Sequence, residues 1–257
     1  MRGDCFGTHE ADEFAVPVGE LLAVGLRSLG AEAVCGELSV GVVPDAGEGW
    51  HVLAGVGSAS FRTASSRSRA RVSGVDERLD VVEAGLAKFG RIDIVANNAG
   101  YGLIGAIEET SDKAARALFD VNVFGVLNTL RATLPTLRAQ RTGHVLNIGS
   151  VGGFATAPVA GLFGASKFAV EGVSESLHGE LSPLGVRVTI VEPGGFRTDF
   201  LSSSSMHVEP ASIADYAAGA GPVRKALAKN DGRQPGDPVK AAKAIVDITE
   251  PPLGMSG

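Results

Sequence analysis

The apolar positions of this chain change rhythm near residue 75. Downstream of that point Leu79, Val82 and Leu86 recur at helical spacing and predict a helix over 75–89, with Gly90 as its stop. A short apolar strand follows at 92–96. A long helical pattern then covers 110–140, with Thr110 or Ser111 as its N-cap and Pro135 as a kink or late boundary. Two more apolar runs, 143–148 and 186–191, predict buried strands, and 163–181 between them predicts a helix. Asp237-Pro238 opens a last predicted helix over 239–248. Buried strands alternating with helices imply a parallel sheet covered on both faces, a three-layer, doubly wound α/β architecture. At 257 residues one domain is the expectation.

Residues 1–72 do not keep this rhythm. The stretch 41–49 reads as a turn, and 58–73 is rich in Ser and Arg without periodicity. A nucleotide-binding α/β chain opens with strand, glycine turn and helix. Glycines spaced i, i+4, i+6 do not occur before Gly100, and Gly55-Val56-Gly57 reads as an ordinary turn. Back-translated into degenerate codons and read one nucleotide earlier, residues 29–38 permit Thr-Gly-Cys-x-Ser-Gly-Leu-x-Arg-Ala, a glycine-rich opening. Residues 60–68 read the same way permit a third-strand-like run. The expectation is therefore a frame displacement over roughly residues 20–70 (tested by sequencing the coding DNA), with clear α/β patterning over 75–252.

Composition narrows the function. With 23 basic against 29 acidic residues the formal charge is −6, which argues against a general nucleic-acid surface. No run nears the ~18 consecutive apolar residues of a membrane span. Asp4, Glu10, Asp12 and Glu13 interrupt the N-terminal stretch, so no secretory signal is read there. Cys5 and Cys35 make neither a disulfide framework nor a metal cluster, and the expected setting is the cytoplasm.

The chemistry-bearing residues cluster after predicted strands. Asn97-Asn98-Ala99-Gly100 follows the strand at 92–96, where small and amide side chains let a ligand approach the backbone; an Asn-capped turn is the plain alternative. Asn122 falls inside the long helix, where a buried amide must be hydrogen-bonded. Ser150 ends the next strand, and its hydroxyl can stabilise a carbonyl oxygen as charge develops there. Phe163 lies thirteen residues later, and Lys167, four beyond it, shares its helical face. Pro193-Gly194-Gly195-Phe196-Arg197-Thr198 follows the last clear strand.

Taken together, these motifs resemble those of the short-chain dehydrogenase/reductase family in order and spacing. The resemblance implies a Rossmann fold, NAD or NADP as cofactor, and hydride transfer between nicotinamide and a secondary alcohol or ketone. By resemblance, Ser150 polarises the carbonyl, Lys167 holds the nicotinamide ribose, and Asn122 supports a proton relay through its backbone. Asn97, Ala99 and Gly100 then flank the cofactor, and Pro193, Gly194 and Thr198 bind the nicotinamide carboxamide. The family's proton-transferring tyrosine falls at Phe163, which can neither give nor take a proton. Two readings follow: an oxidoreductase impaired as written, or a catalytically silent binding or assembly protein of the same shape. Family members pair through two long helices, here 110–140 and 163–181, so a homodimer or homotetramer is implied. Neither nucleic acid nor membrane is an expected partner, and Ser202–Ser205 with His207 is assigned to a segment covering substrate.

Overall fold

A computed structural model describes residues 90–249 continuously, with residues 82, 83, 86 and 87 and the backbone of three earlier strands. Those strands are β1 (Glu32–Val34), β2 (Leu38–Val43) and β3 (Trp50–Gly55). Then come β4 (Ile94–Asn97), β5 (Gly102–Ile104), α1 (Asp112–Phe119), a π-helical turn at Asp120–Phe124 and α2 (Gly125–Gln140). The chain continues through β6 (Gly143–Ile148), α3 (Gly161–Leu181), β7 (Val186–Val191) and β8 (Met206–Val208). Two helices follow, α4 (Ala217–Asn230) and α5 (Pro238–Asp247).

The main sheet has the order β1-β2-β3-β4-β6-β7, and its β3-β4-β6-β7 portion is parallel. Val95 and Val145 meet a core of Val126, Leu130 and Leu137 from α2 with Val170, Leu177 and Leu181 from α3. The alternate strand residues Ile94, Ala96, Leu146 and Ile148 are equally buried. Because side chains alternate along a strand, both faces of this sheet are covered, as a Rossmann-type α/β fold requires.

The N-terminal reading needs correction. Three strands occur before residue 72, where the sequence keeps no regular apolar rhythm, and Gly41-Val42-Val43, read as turn, lies within β2. β1–β2 and β2–β3 pair antiparallel, and β3 then docks parallel to β4 with Gly55 opposite Asn97. The Val-rich run of β2 favours a strand, and its interleaved glycine hides the alternation. Cys5, Cys35, residues 58–73, most of the helix expected over 75–89 and most of the span assigned to a frame displacement lie outside the described residues. Val82 and Leu86 are described; both are helical and reach the core, and Gly90, at φ +76, caps them through its N–H to Leu86 O at 2.8 Å.

The long helix differs in one respect. Ser111 caps it as expected, accepting from Ala114 N at 3.2 Å, and it continues past Pro135 to Gln140. Its interruption comes instead at the π-helical turn, which contains Asn122. β5 and β8, three residues each, form a separate two-stranded parallel sheet.

Candidate active site

The carboxyl ends of β4, β6 and β7 lie side by side, with Asn97 in register with Asn147, and Ile148 with Val191. Ligands of open parallel sheets bind at such an edge. Asn97 is buried and donates its amide to Asn147 Oδ1 at 2.8 Å. Asn147 donates in turn to Ser174 Oγ at 2.7 Å, which donates to Val170 O. This chain of amides ties β4, β6 and α3 together, so Asn97's side chain is committed to the scaffold. Asn147 was not singled out from sequence, although a lone amide inside an apolar strand is a signal that it must be paired.

Asn98 belongs to the motif read from sequence, where its side chain had no separate role. Its Nδ2 is buried and has no hydrogen-bond partner among the described residues. A donor of this kind at a crevice is either costly or meant for a ligand. Gly100 lies next to it in the crevice. A Cβ there would stand 3.2 Å from Asn122 Oδ1 and 3.7 Å from Lys167 Nζ, so only glycine leaves room for close approach.

Asn122 is almost fully buried on the π-helical turn. Its Oδ1 accepts from Tyr101 N at 3.1 Å, and its Nδ2 donates to Tyr101 O at 3.0 Å and Ser166 Oγ at 3.1 Å. Ser166 Oγ donates to Phe163 O at 2.7 Å. The amide thus locks the residues after Asn97-Asn98-Ala99-Gly100 to the first turn of α3. Tyr101 is buried, and burial followed by the nearby Asp120 charge pushes its hydroxyl up to about 12.

Ser150 caps the short turn Val151–Gly153 through Oγ, which accepts from Gly152 N at 3.0 Å. Acceptance there leaves donation as the hydroxyl's other role, the one a carbonyl oxygen needs. Val151 N reaches Pro193 O at 3.3 Å, so the Ser150 turn and the Pro193-Gly194 turn are braced against each other. Phe163 faces this turn: a Cβ on Gly152 would lie 3.4 Å from Ser150 Oγ and 3.5 Å from Phe163 Cε1. Lys167 is buried and donates to Ile148 O at 2.8 Å, and burial lowers its pKa to about 8. Thr198 is buried at the edge of the same crevice, accepting from Phe200 N at 3.3 Å, while Gln234 Nε2 reaches Thr198 O at 3.4 Å. Behind the Ser150 turn, burial and then the facing carboxyl of Glu192 raise the Glu171 pKa.

The structure therefore brings Ser150, Phe163, Lys167, Asn122 and Gly100 to one place, with Asn97 and Ala99 on the β4 side and Pro193, Gly194 and Thr198 on the β7 side. His207 lies on β8 instead, 3.5 Å from Glu209. The orphan Asn98 amide, the room at Gly100 and the buried Lys167 fit one edge of a nicotinamide dinucleotide. Among the described residues no cluster could hold a metal ion, and no helix is long and apolar enough to cross a membrane.

Comparison with known proteins agrees with this geometry. The family model described as short chain dehydrogenase matches residues 61–209. An oxidoreductase of Botryotinia fuckeliana is 38% identical over 180 residues, covering 69% of this chain and 65% of that protein. A short-chain dehydrogenase structure from Streptomyces avermitilis superposes with a TM-score of 0.64 at 37% identity, covering 72% of this chain and 66% of that one. A Burkholderia phymatum short-chain dehydrogenase/reductase solved in complex with NAD gives 0.59 at 26%, covering 70% and 66%. The chain spans about half to two thirds of the length of the curated relatives it matches.

Proposed function

Because this chain belongs to the short-chain dehydrogenase family, and some of the solved structures it resembles hold NAD or NADP, we propose that it binds one of these cofactors at the β4–β6–β7 edge and a secondary alcohol or ketone beside Ser150. The observation that carries the reading is the convergence of Ser150, Phe163 and the buried Lys167 at that edge. When bound, the nicotinamide supplies or accepts the hydride. Ser150 Oγ–H donates to the substrate oxygen and holds its carbonyl carbon toward the cofactor. Lys167, anchored on Ile148 O, presents the remaining ammonium protons to ribose hydroxyls. The backbone at Pro193, Gly194 and Thr198 fixes the carboxamide, and Asn98 Nδ2 donates to the cofactor.

The proton half of the reaction lacks its donor. Phe163 occupies the acid's place and its ring supplies only apolar contact, so reduction relies on water. The same fact supports the second reading, a cofactor-binding protein with little turnover. A homo-oligomer accompanies both. α2 and α3 leave an open groove lined by Leu127, Leu134, Val173 and Leu177, and Phe168 on α3 is half exposed, as suits helix pairing between copies. One Rossmann-type domain and a cytoplasmic setting complete the proposal.

Titration with NADH and NADPH, followed by cofactor fluorescence, tests it. Saturable binding of either supports the reading, and weakening by Asn98→Ala places the cofactor at β4. No binding of either cofactor overturns it.

A further inference from the structure

The mouth of the Ser150–Phe163 site is apolar and exposed. Val151 and Phe154, in the turn directly after Ser150, are 54% and 63% exposed. Ile107, at 72%, lies over the start of α3, its Cδ1 3.4 Å from where Gly161 would carry a Cβ, two residues before Phe163. From Gly149 to Phe163 the chain has no charged residue. On the opposite side the Phe163 and Phe200 rings are 5.7 Å apart. Single exposed apolar residues are ordinary, but these three sit on the segments that flank one aromatic ring at the catalytic position, where water contact is costly unless something covers them.

The wall is also held rigidly. Val159 has φ +67, a strained conformation for a β-branched residue. Its carbonyl accepts from Gly105 N at 2.8 Å, and its side chain packs with Ile104 and Ala220. The segment between Ser150 and α3 is thus pinned to β5 and α4, and its apolar side chains are presented on a fixed surface.

We infer that this rim receives the apolar tail of the substrate: the site takes a ketone or secondary alcohol with an extended hydrocarbon or aryl group, in preference to a polyhydroxylated one. The inference rests on the oxidoreductase reading and adds the substrate class to it. The oxygen lies at Ser150, and the tail runs outward over Val151, Phe154 and Ile107.

Binding tests it without requiring turnover. The full chain is titrated by calorimetry with 2-butanone, 2-hexanone, 2-octanone and 2-decanone, and with xylitol. Affinity rises roughly fourfold for each added methylene that is buried, and xylitol does not bind. Ile107→Ser with Phe154→Ser flattens the series while leaving 2-butanone unchanged. Affinity independent of chain length, or an equally steep series in the double variant, overturns the inference. Failure of the oxidoreductase reading shows separately, as a steep series with no turnover of any ketone by the Phe163→Tyr chain despite bound NADH or NADPH.

Discussion

Lys167 Nζ lies 5.9 Å from the centre of the Phe163 ring and donates to the carbonyl of Ile148 instead. The two side chains share a helical face, so the family arrangement survives in shape. The Phe163 ring carries no hydroxyl, and the neighbouring ammonium would lower the pKa of one placed there.

Restoring that hydroxyl is the direct experiment. Phe163→Tyr adds one oxygen at the rim of a ring already in place, and general acid catalysis is typically worth ~10²–10⁴ in rate. NADH or NADPH oxidation with an apolar ketone is expected to rise by about a hundredfold or more over the unaltered chain. Equal rates in the two proteins, with cofactor bound to both, would show that Phe163 is not the missing acid's position.

Burying Lys167 costs stability. Its pKa falls from 10.5 to about 8 on burial, so the unfolded chain holds the proton more tightly between those values. Stability is then fully present above pH 10.5 and is lost as pH falls through about 8. Lys167→Met removes an ammonium burial that costs about 3 kcal/mol, against about 1–2 kcal/mol for the lost bond to Ile148 O. The variant is expected to melt at a higher temperature than the parent at pH 7 and to bind NADH more weakly. A lower melting temperature would mean that the anchor on Ile148 outweighs the desolvation.

His144 sets an acid limit. It is buried on β6 with Nε2 2.8 Å from Thr189 Oγ1, and burial, then the Arg187 charge, lowers its pKa from 6.5 to about 4. The unfolded chain binds the proton first, so stability is complete above pH 6.5 and declines as pH falls to 4, by about 3 kcal/mol for this group. Urea midpoints at pH 7 and pH 4.5 should therefore separate less in His144→Gln than in the parent. Equal separations would exclude His144 as the source.

Glu109 secures the segment at Ser212 and Ile213. Its carboxylate accepts from Ser212 N at 2.8 Å and Ile213 N at 2.9 Å and pairs with Arg224 at 2.8 Å. The Ile213 hydrogen bond, ahead of the other contributions, holds its pKa below the usual carboxylate value, so the clasp is present at neutral pH and opens as acid protonates it. Glu109→Gln should speed amide exchange at Ser212 and Ile213 several-fold while leaving α2 unaffected. Unchanged exchange would show that Arg224 and the backbone hold the segment alone.

Sequence rhythm resolved the long elements and missed the short ones. The bounds of β6 and β7 were legible to the residue because each is rich in aliphatic residues and is ended by a glycine or a polar step. Asp237-Pro238 announced α5, whose first amides the Asp237 carboxylate does cap. β5 and β8 have three residues each, too few for any period to register. α4 buries only Ala220 and carries Gly219, Gly221 and Pro222, which disguise it. In the site, Ser150, Phe163 and Lys167 were visible because their spacing is set by one turn and one helix. Asn98 and Phe200 become recognisable only once tertiary contacts show an unpaired amide and a ring against Phe163. β2 was illegible because Gly41 interrupts the alternation of its Val-rich run.

The π-helical turn at Asp120–Phe124 has a consequence for how one continuous helix can serve two masters. Each residue advances a helix by about 100°, so the extra residue held in that turn rotates everything before it against everything after it. α1 thereby directs Leu118 toward Tyr101 and Leu103 under the small sheet, while α2 directs Val126, Leu130 and Leu137 at the main sheet. Deleting a single residue there would let the ladder close into ordinary α-helix. The two halves would then be out of phase, and Asn122 would swing away from Tyr101 although no residue of the site had been changed.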